Sequence, residues 1–257
     1  MRFPVLPLPA VAACVLLAMT GGAVTGCAPV TGQGSDASDA SMQFAPSTDL
    51  LPPEVAAKNF MTAAHRMEPV IESYCRHHQL AQVHNCDFRI MVDDRPDPEP
   101  NAFQTLDEKG QPVLAFNLTL ISQALNQDEL AFVMGHEAAH HILGHLDMKA
   151  DDSQTGAVLM GTIIASQGAS NRQVRKAQTI GAELGALTRA KDYELQADSL
   201  GAVLSLRAGY HPLKGIQIFK RIDNPEDDIM SSHPSNAARM ANVRATMSRL
   251  KKRSSGV

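Results

Sequence analysis

Two histidines one helical turn apart, with a glutamate beside the first, constrain this chain more than any other feature: His136-Glu137-Ala138-Ala139-His140. Residues four apart on an α-helix are offset by about 40° and one turn, so both imidazoles converge on one point. A single zinc ion fits there at about 2.0 to 2.1 Å from each ring nitrogen. Glu137 then reaches the side where a water would lie; it takes a proton as that water attacks a peptide carbonyl and hands it to the leaving amine. The bland alternative is a helix that merely carries surface histidines. Asn126-Gln127-Asp128-Glu129 opens this helix in the manner of a capping box, and Gly144 supplies a left-handed stop after about Leu143.

A catalytic zinc needs a third protein ligand and an open fourth position. The metzincin arrangement places Gly and His seven and ten residues after the first His; here those positions hold Leu143 and Leu146, so that class is excluded. His145 would lie about 180° from the ligand face if the helix continued, and His141 also points away, so both read as surface or supporting groups. Glu194 and Asp198, four apart on a later helix, offer a ligand and a second carboxylate that accepts the free N–H of a ligating imidazole. Spacing alone fits an ordinary acidic pair on an exposed helix equally well.

The first 26 residues read as an export signal. Arg2 precedes an apolar stretch over residues 5–19, and small residues lead to Val24-Thr25-Gly26-Cys27. The stretch is too short and too rich in proline for a membrane span of about 20 residues. The tetrapeptide resembles the bacterial lipobox, which would make a lipid-bearing Cys27 the first mature residue. At about 0.8 kcal/mol per buried CH₂, several acyl chains would hold it permanently. A plain secretory signal is the alternative. Ala28 rather than Asp after that cysteine resembles lipoproteins of the outer membrane, facing the periplasm. In that oxidising compartment Cys75 and Cys86 form a disulfide of about 2 to 3 kcal/mol, or remain two buried thiols.

Residues 27–53, rich in Gly, Ser, Asp, Thr and Pro, read as a flexible tether, leaving residues 54–257 for one domain. No Trp and only 4% aromatic residues favour packed helices over a β-sandwich, and a net charge of -4 disfavours nucleic acid. The predicted architecture is α+β, mostly helical with a small sheet. Its first helix starts near Glu54, with Val55, Met61, Ala64, Met67, Ile71 and Tyr74 on one side and a break or kink at Pro69. Residues 88–92, 102–106 and 113–118 read as strands, the last two as a hairpin around Lys109-Gly110 or simply a pair of strands. The apolar run 157–165 is a buried helix or a flexible loop, and residues 174–187, 193–208, 213–222 and 236–250 are helical.

Five stretches in this order carry a family resemblance: Asn101-Ala102-Phe103; His136 to His140 with Gly144-His145; Glu194-Leu195-Gln196-Ala197-Asp198 with Gly201; Ala208-Gly209-Tyr210-His211-Pro212; and Ser232-His233-Pro234 followed by Arg239. Between about residues 101 and 240 the chain resembles HtpX-type and CaaX-prenyl-protease-like zinc metallopeptidases, in particular their soluble lipoprotein branch of LoiP- and YcaL-like proteins. That resemblance implies a zincin-like fold and a gluzincin site: one Zn2+ held by His136, His140 and Glu194, Asp198 in support and Glu137 as general base. It also implies that His233 approaches the metal or the transition state, that Arg239 stabilises oxyanion charge, and that Asn101 and its strand bind substrate by edge-strand addition. His211 departs from the Asp common in relatives. The expected activity is cleavage of exported or misfolded proteins. The rivals are a latent or non-cleaving module that holds clients on the same fold, and a metal-storing protein, for which Glu137 would be superfluous.

Overall fold

A computed structural model describes residues 50–78, 83, 85–97, 99–222 and 232–255. The expected signal over residues 1–26, Cys27 and the tether as far as residue 49 lie outside the described residues. Helix α1 (Pro53–His77) carries a proline in its first turn, where the missing N–H costs nothing. It buries Ala56, Phe60, Ala63, Met67, Ile71 and Cys75 at helical spacing. Val55 and Met61, expected on that face, are exposed, because the buried stripe starts one position later. Pro69 does not end the helix. It sits on the exposed side, where the His65 carbonyl that loses its partner faces water.

Strands β1 (Arg89–Asp93), β2 (Ala102–Leu106) and β3 (Pro112–Asn117) form one sheet in the order β1-β3-β2. β1 runs parallel to β3, and β2 runs antiparallel to it through a turn in which Gly110 takes a φ of 76°. The central strand β3 is buried at every position, while β2 forms an edge. A disulfide between Cys75 and Cys86 ties the end of α1 to the approach to β1.

The remaining elements are helical: α2 (Leu118–Gln123), α3 (Gln127–Ile142), α4 (His145–Ser166), α5 (Asn171–Thr188), α6 (Ala190–Arg207), α7 (Pro212–Gly215) running into a 3-10 turn (Ile216–Lys220), and α8 (Asn236–Ser254). The molecule is thus α+β and mostly helical. α3 packs against α1, α6, α7, β2 and β3 and is buried on nearly every side, so it shows little amphipathic contrast. Asn126 caps it by accepting from the Glu129 N–H at 3.1 Å. The reciprocal half of the box is altered: Glu129 accepts from the Leu125 N–H and pairs with Arg221, one residue upstream of the expected donor. Residues 157–165 are helical, but Val158, Leu159 and Ile163 stand exposed, because α4 packs mainly on α5.

α3 and α6 touch through glycines. A Cβ on Gly135 would lie 2.7 Å from the Gly201 carbonyl oxygen, and one on Gly201 would lie 2.7 Å from the His136 nitrogen. Both obstacles are backbone atoms of packed helices and cannot swing aside. Gly201→Ala is therefore expected to cost about 1–3 kcal/mol and to lower the melting temperature by roughly 3–10 °C. Thermal melting checks this, and an unchanged midpoint would show that the helices can part freely.

Candidate metal centre

His136 and His140 project from the second half of α3, one turn apart, with their Nε2 atoms 3.1 Å from each other. Glu194, near the start of α6, brings Oε2 to 3.5 Å from His136 Nε2 and Oε1 to 3.4 Å from His140 Nε2. A tetrahedral ion with bonds of 2.0 to 2.1 Å separates its ligand atoms by about 3.3 to 3.4 Å. Each imidazole nitrogen has one Glu194 oxygen near that separation, Oε2 for His136 and Oε1 for His140, and one ligand atom from each of the three residues lies within 4.8 Å of the others. These side chains form a group able to hold a metal ion among the described residues.

The donor chemistry fits as well as the distances. His136 donates Nδ1–H to Asp198 Oδ1 at 3.0 Å, which leaves its Nε2 lone pair facing inward. His140 places Nδ1 3.0 Å from His145 Nδ1, so its Nε2 is likewise turned to the centre. Two imidazole lone pairs and a carboxylate converging at such range repel one another unless a positive charge lies between them. Without an ion between these groups, the surrounding carboxylates draw a proton to the centre instead. Burial and the Arg239 charge push His136 down, yet Asp198 and Glu194 outweigh them and hold it up at about 10. Burial alone would raise Glu194, but hydrogen bonds from His136, His140 and His233 keep it far below the usual carboxylate range. Burial is likewise overridden at Asp198 by the Arg239 fork and His136, so its carboxyl is also lowered.

Arg239, on α8, grips Asp198 with Nε at 2.9 Å and one Nη at 2.7 Å. The same Nη lies 3.6 Å from Glu194 Oε2, and the guanidinium rests over Phe219. Two of its donor groups are thus engaged by Asp198. His233 has a half-exposed side chain with Nδ1 3.1 Å from Glu194 Oε2. Glu137 is buried but lines the same cleft as the three candidate ligands, a cavity of about 460 Å³. Asn101 lies at its rim, where its N–H donates to Asn117 Oδ1 and its carbonyl accepts from the Asn117 N–H. His211 is elsewhere, its backbone N–H donating to Asp128 at the start of α3.

His145 is where helical extrapolation fails. α3 ends before Gly144, whose φ of 70° turns the chain, and α4 begins with His145 folded back beneath His140. The ring is only 3% exposed, stacks on Tyr193 and donates Nε2–H to Gln196 Oε1 at 3.3 Å. Burial and the neighbouring His140 push it down to about 4, so it stays neutral and can accept the His140 N–H. The glycine read as a helix stop was the signal that the wheel no longer applied. His141 does point away, donating Nε2–H to the Asn85 carbonyl at 2.6 Å.

Compared with known families, residues 63–247 match the model of peptidase family M48. A search of curated proteins finds no match to the chain.

The partner His145 supplies to His140 should matter to the metal. His145→Leu is expected to weaken zinc binding about 10- to 100-fold, read by competition with a chromogenic chelator. Equal affinity in the variant and the parent would mean that His140 holds its orientation unaided.

Proposed function

The chain belongs to peptidase family M48, a family of zinc-dependent metallopeptidases, and from that premise we propose that it is an endopeptidase of the bacterial envelope with Glu137 as its general base. The observation that carries this reading is the convergence of His136, His140 and Glu194 within metal-ligating reach of one another at the wall of an open cleft. In this gluzincin-type assignment those three residues would hold Zn2+, which would supply Lewis acidity toward a water and a peptide carbonyl.

The remaining work belongs to the chain. Asp198 fixes the His136 tautomer and is itself held by Arg239, so the ligand face stays rigid. Glu137, next to His136 and facing the cleft, takes the proton from the attacking water and returns it to the leaving nitrogen. Arg239 adds positive charge near the developing oxyanion. Substrate lies along β2. The Asn117 N–H closes on the Asn101 carbonyl and the Asp107 N–H on that of Gln111, so the odd-numbered residues of β2 face β3. Ala102, Gln104 and Leu106 then turn their main-chain groups to the strand's other side, where an extended peptide can pair.

The same reading places the chain in the soluble lipoprotein branch, anchored through Cys27 to the outer membrane, facing the periplasm and cutting exported or misfolded proteins. The contact of His233 with Glu194 favours a second reading, a latent form that holds clients and cuts rarely.

Glu137→Gln should retain zinc and lose hydrolysis of an unfolded protein by about 10²- to 10⁴-fold. Glu194→Ala should lose zinc. Chelation should silence the parent and added zinc restore it. A parent that binds zinc yet never cuts, with client capture intact in Glu137→Gln, selects the holding module; unchanged zinc affinity in Glu194→Ala removes the third ligand.

A further inference from the structure

We propose that the α4–α5 hairpin is a docking surface for an anionic lipid bilayer, lying along the membrane rather than crossing it. This inference stands apart from the peptidase reading and rests on how the hairpin is packed. A water-soluble pair of helices turns its large apolar side chains inward. Here the inward line is small: a Cβ on Gly156 would lie 2.0 Å from the Gly181 carbonyl oxygen, and one on Gly185 would lie 2.2 Å from that of Asp152. Backbone meets backbone, as small residues permit for helices that pack in lipid.

The large side chains are consequently outside. Leu159 and Ile163 on α4, and Ile180 and Leu184 on α5, are between 41% and 58% exposed. α4 meets α5 along Asp152, Gly156 and Met160, and α5 answers with Gly181 and Gly185. Counted in the same rotational sense from those lines, all four aliphatics stand roughly 80–120° round their helices. Because the helices are antiparallel, equal rotation puts them on one face of the hairpin.

Charge selects the occupant. From residue 153 to residue 182 there is no Asp or Glu, while Arg172, Arg175 and Lys176 lie towards the tip. An apolar face bordered by cations at its tip, with the exposed Glu183 only at its base, suits acyl chains beneath anionic headgroups. No described helix is long and apolar enough to cross a membrane, so the fit is interfacial. Docking would also orient the cleft, because α4 starts at His145 behind His140 and α5 leads into the helix that carries Glu194.

The chain contains no Trp, so Leu159→Trp installs a sole reporter on the face, and Leu213→Trp, exposed on α7, is the control. Both are made in the full chain carrying Cys27→Ser, so that no acyl group attaches there. Vesicles of phosphatidylcholine with one third phosphatidylglycerol should shift the indole emission of the Leu159→Trp protein to the blue and allow its quenching by brominated acyl chains. The emission of the Leu213→Trp protein should be unaffected. Replacing Arg172, Arg175 and Lys176 with Gln should raise the half-saturating lipid concentration about ten-fold or more. The proposal is overturned if the Leu159→Trp reporter ignores anionic vesicles, or if both reporters insert alike. It is equally overturned if the shift appears without lipid together with a dimeric mass in sedimentation, which would make a second copy the occupant.

Discussion

Backbone-to-backbone contact between α3 and α6 at Gly135 and Gly201 is the constraint on which the rest of the molecule depends. On α6, Glu194, Asp198 and Gly201 are spaced by four and three and so share one face; on α3, Gly135 adjoins the first candidate ligand. With no side chain between the helices, the carboxylate of Glu194 reaches both imidazoles without stretching. A pair of helices held apart by ordinary core residues, at the usual 8 to 10 Å between axes, would leave less favourable reach for so short a side chain.

Around that contact the fold buries an unusual density of charge. Glu194, Asp198 and Arg239 are nearly inaccessible and would each be costly if isolated. None is isolated. Arg239 forks onto Asp198, Asp198 accepts from His136, and Glu194 faces both imidazoles and His233. Such clusters add little to stability, since the cost of desolvation offsets the attraction. Their value lies in fixing which ring nitrogen carries a proton and which faces the centre. On the other side the chain His140, His145 and Gln196 does the same with neutral groups, and burial keeps His145 uncharged.

The α4–α5 hairpin separates the two halves of the centre along the chain, yet it adds little to the core. Its glycine seam and outward aliphatics invert the pattern of α1, which buries one clear stripe against α3. One chain thus contains helices packed by hydrophobic burial and a helix pair packed by close approach. The second kind leaves apolar area for something else to cover.

Local chemistry was legible in the residues. The two histidines and their glutamate, the Asn126 cap, the left-handed Gly144 and the hairpin around Gly110 each follow from spacing or backbone preference within a few positions. By spacing alone Glu194 was half of an acidic pair, and its role as third ligand came from the family resemblance; its approach to His136 and His140 belongs to the packing of α3 on α6. The same holds for Arg239 on Asp198, for His145 beneath His140 and for the tolerance of Pro69 on an exposed face. The sequence by itself determined the kind of centre, because an i, i+4 pair is set by the helix alone. Only the tertiary structure decided which distant groups complete it, because inter-helix distance depends on what both surfaces leave out, and here both leave out a side chain.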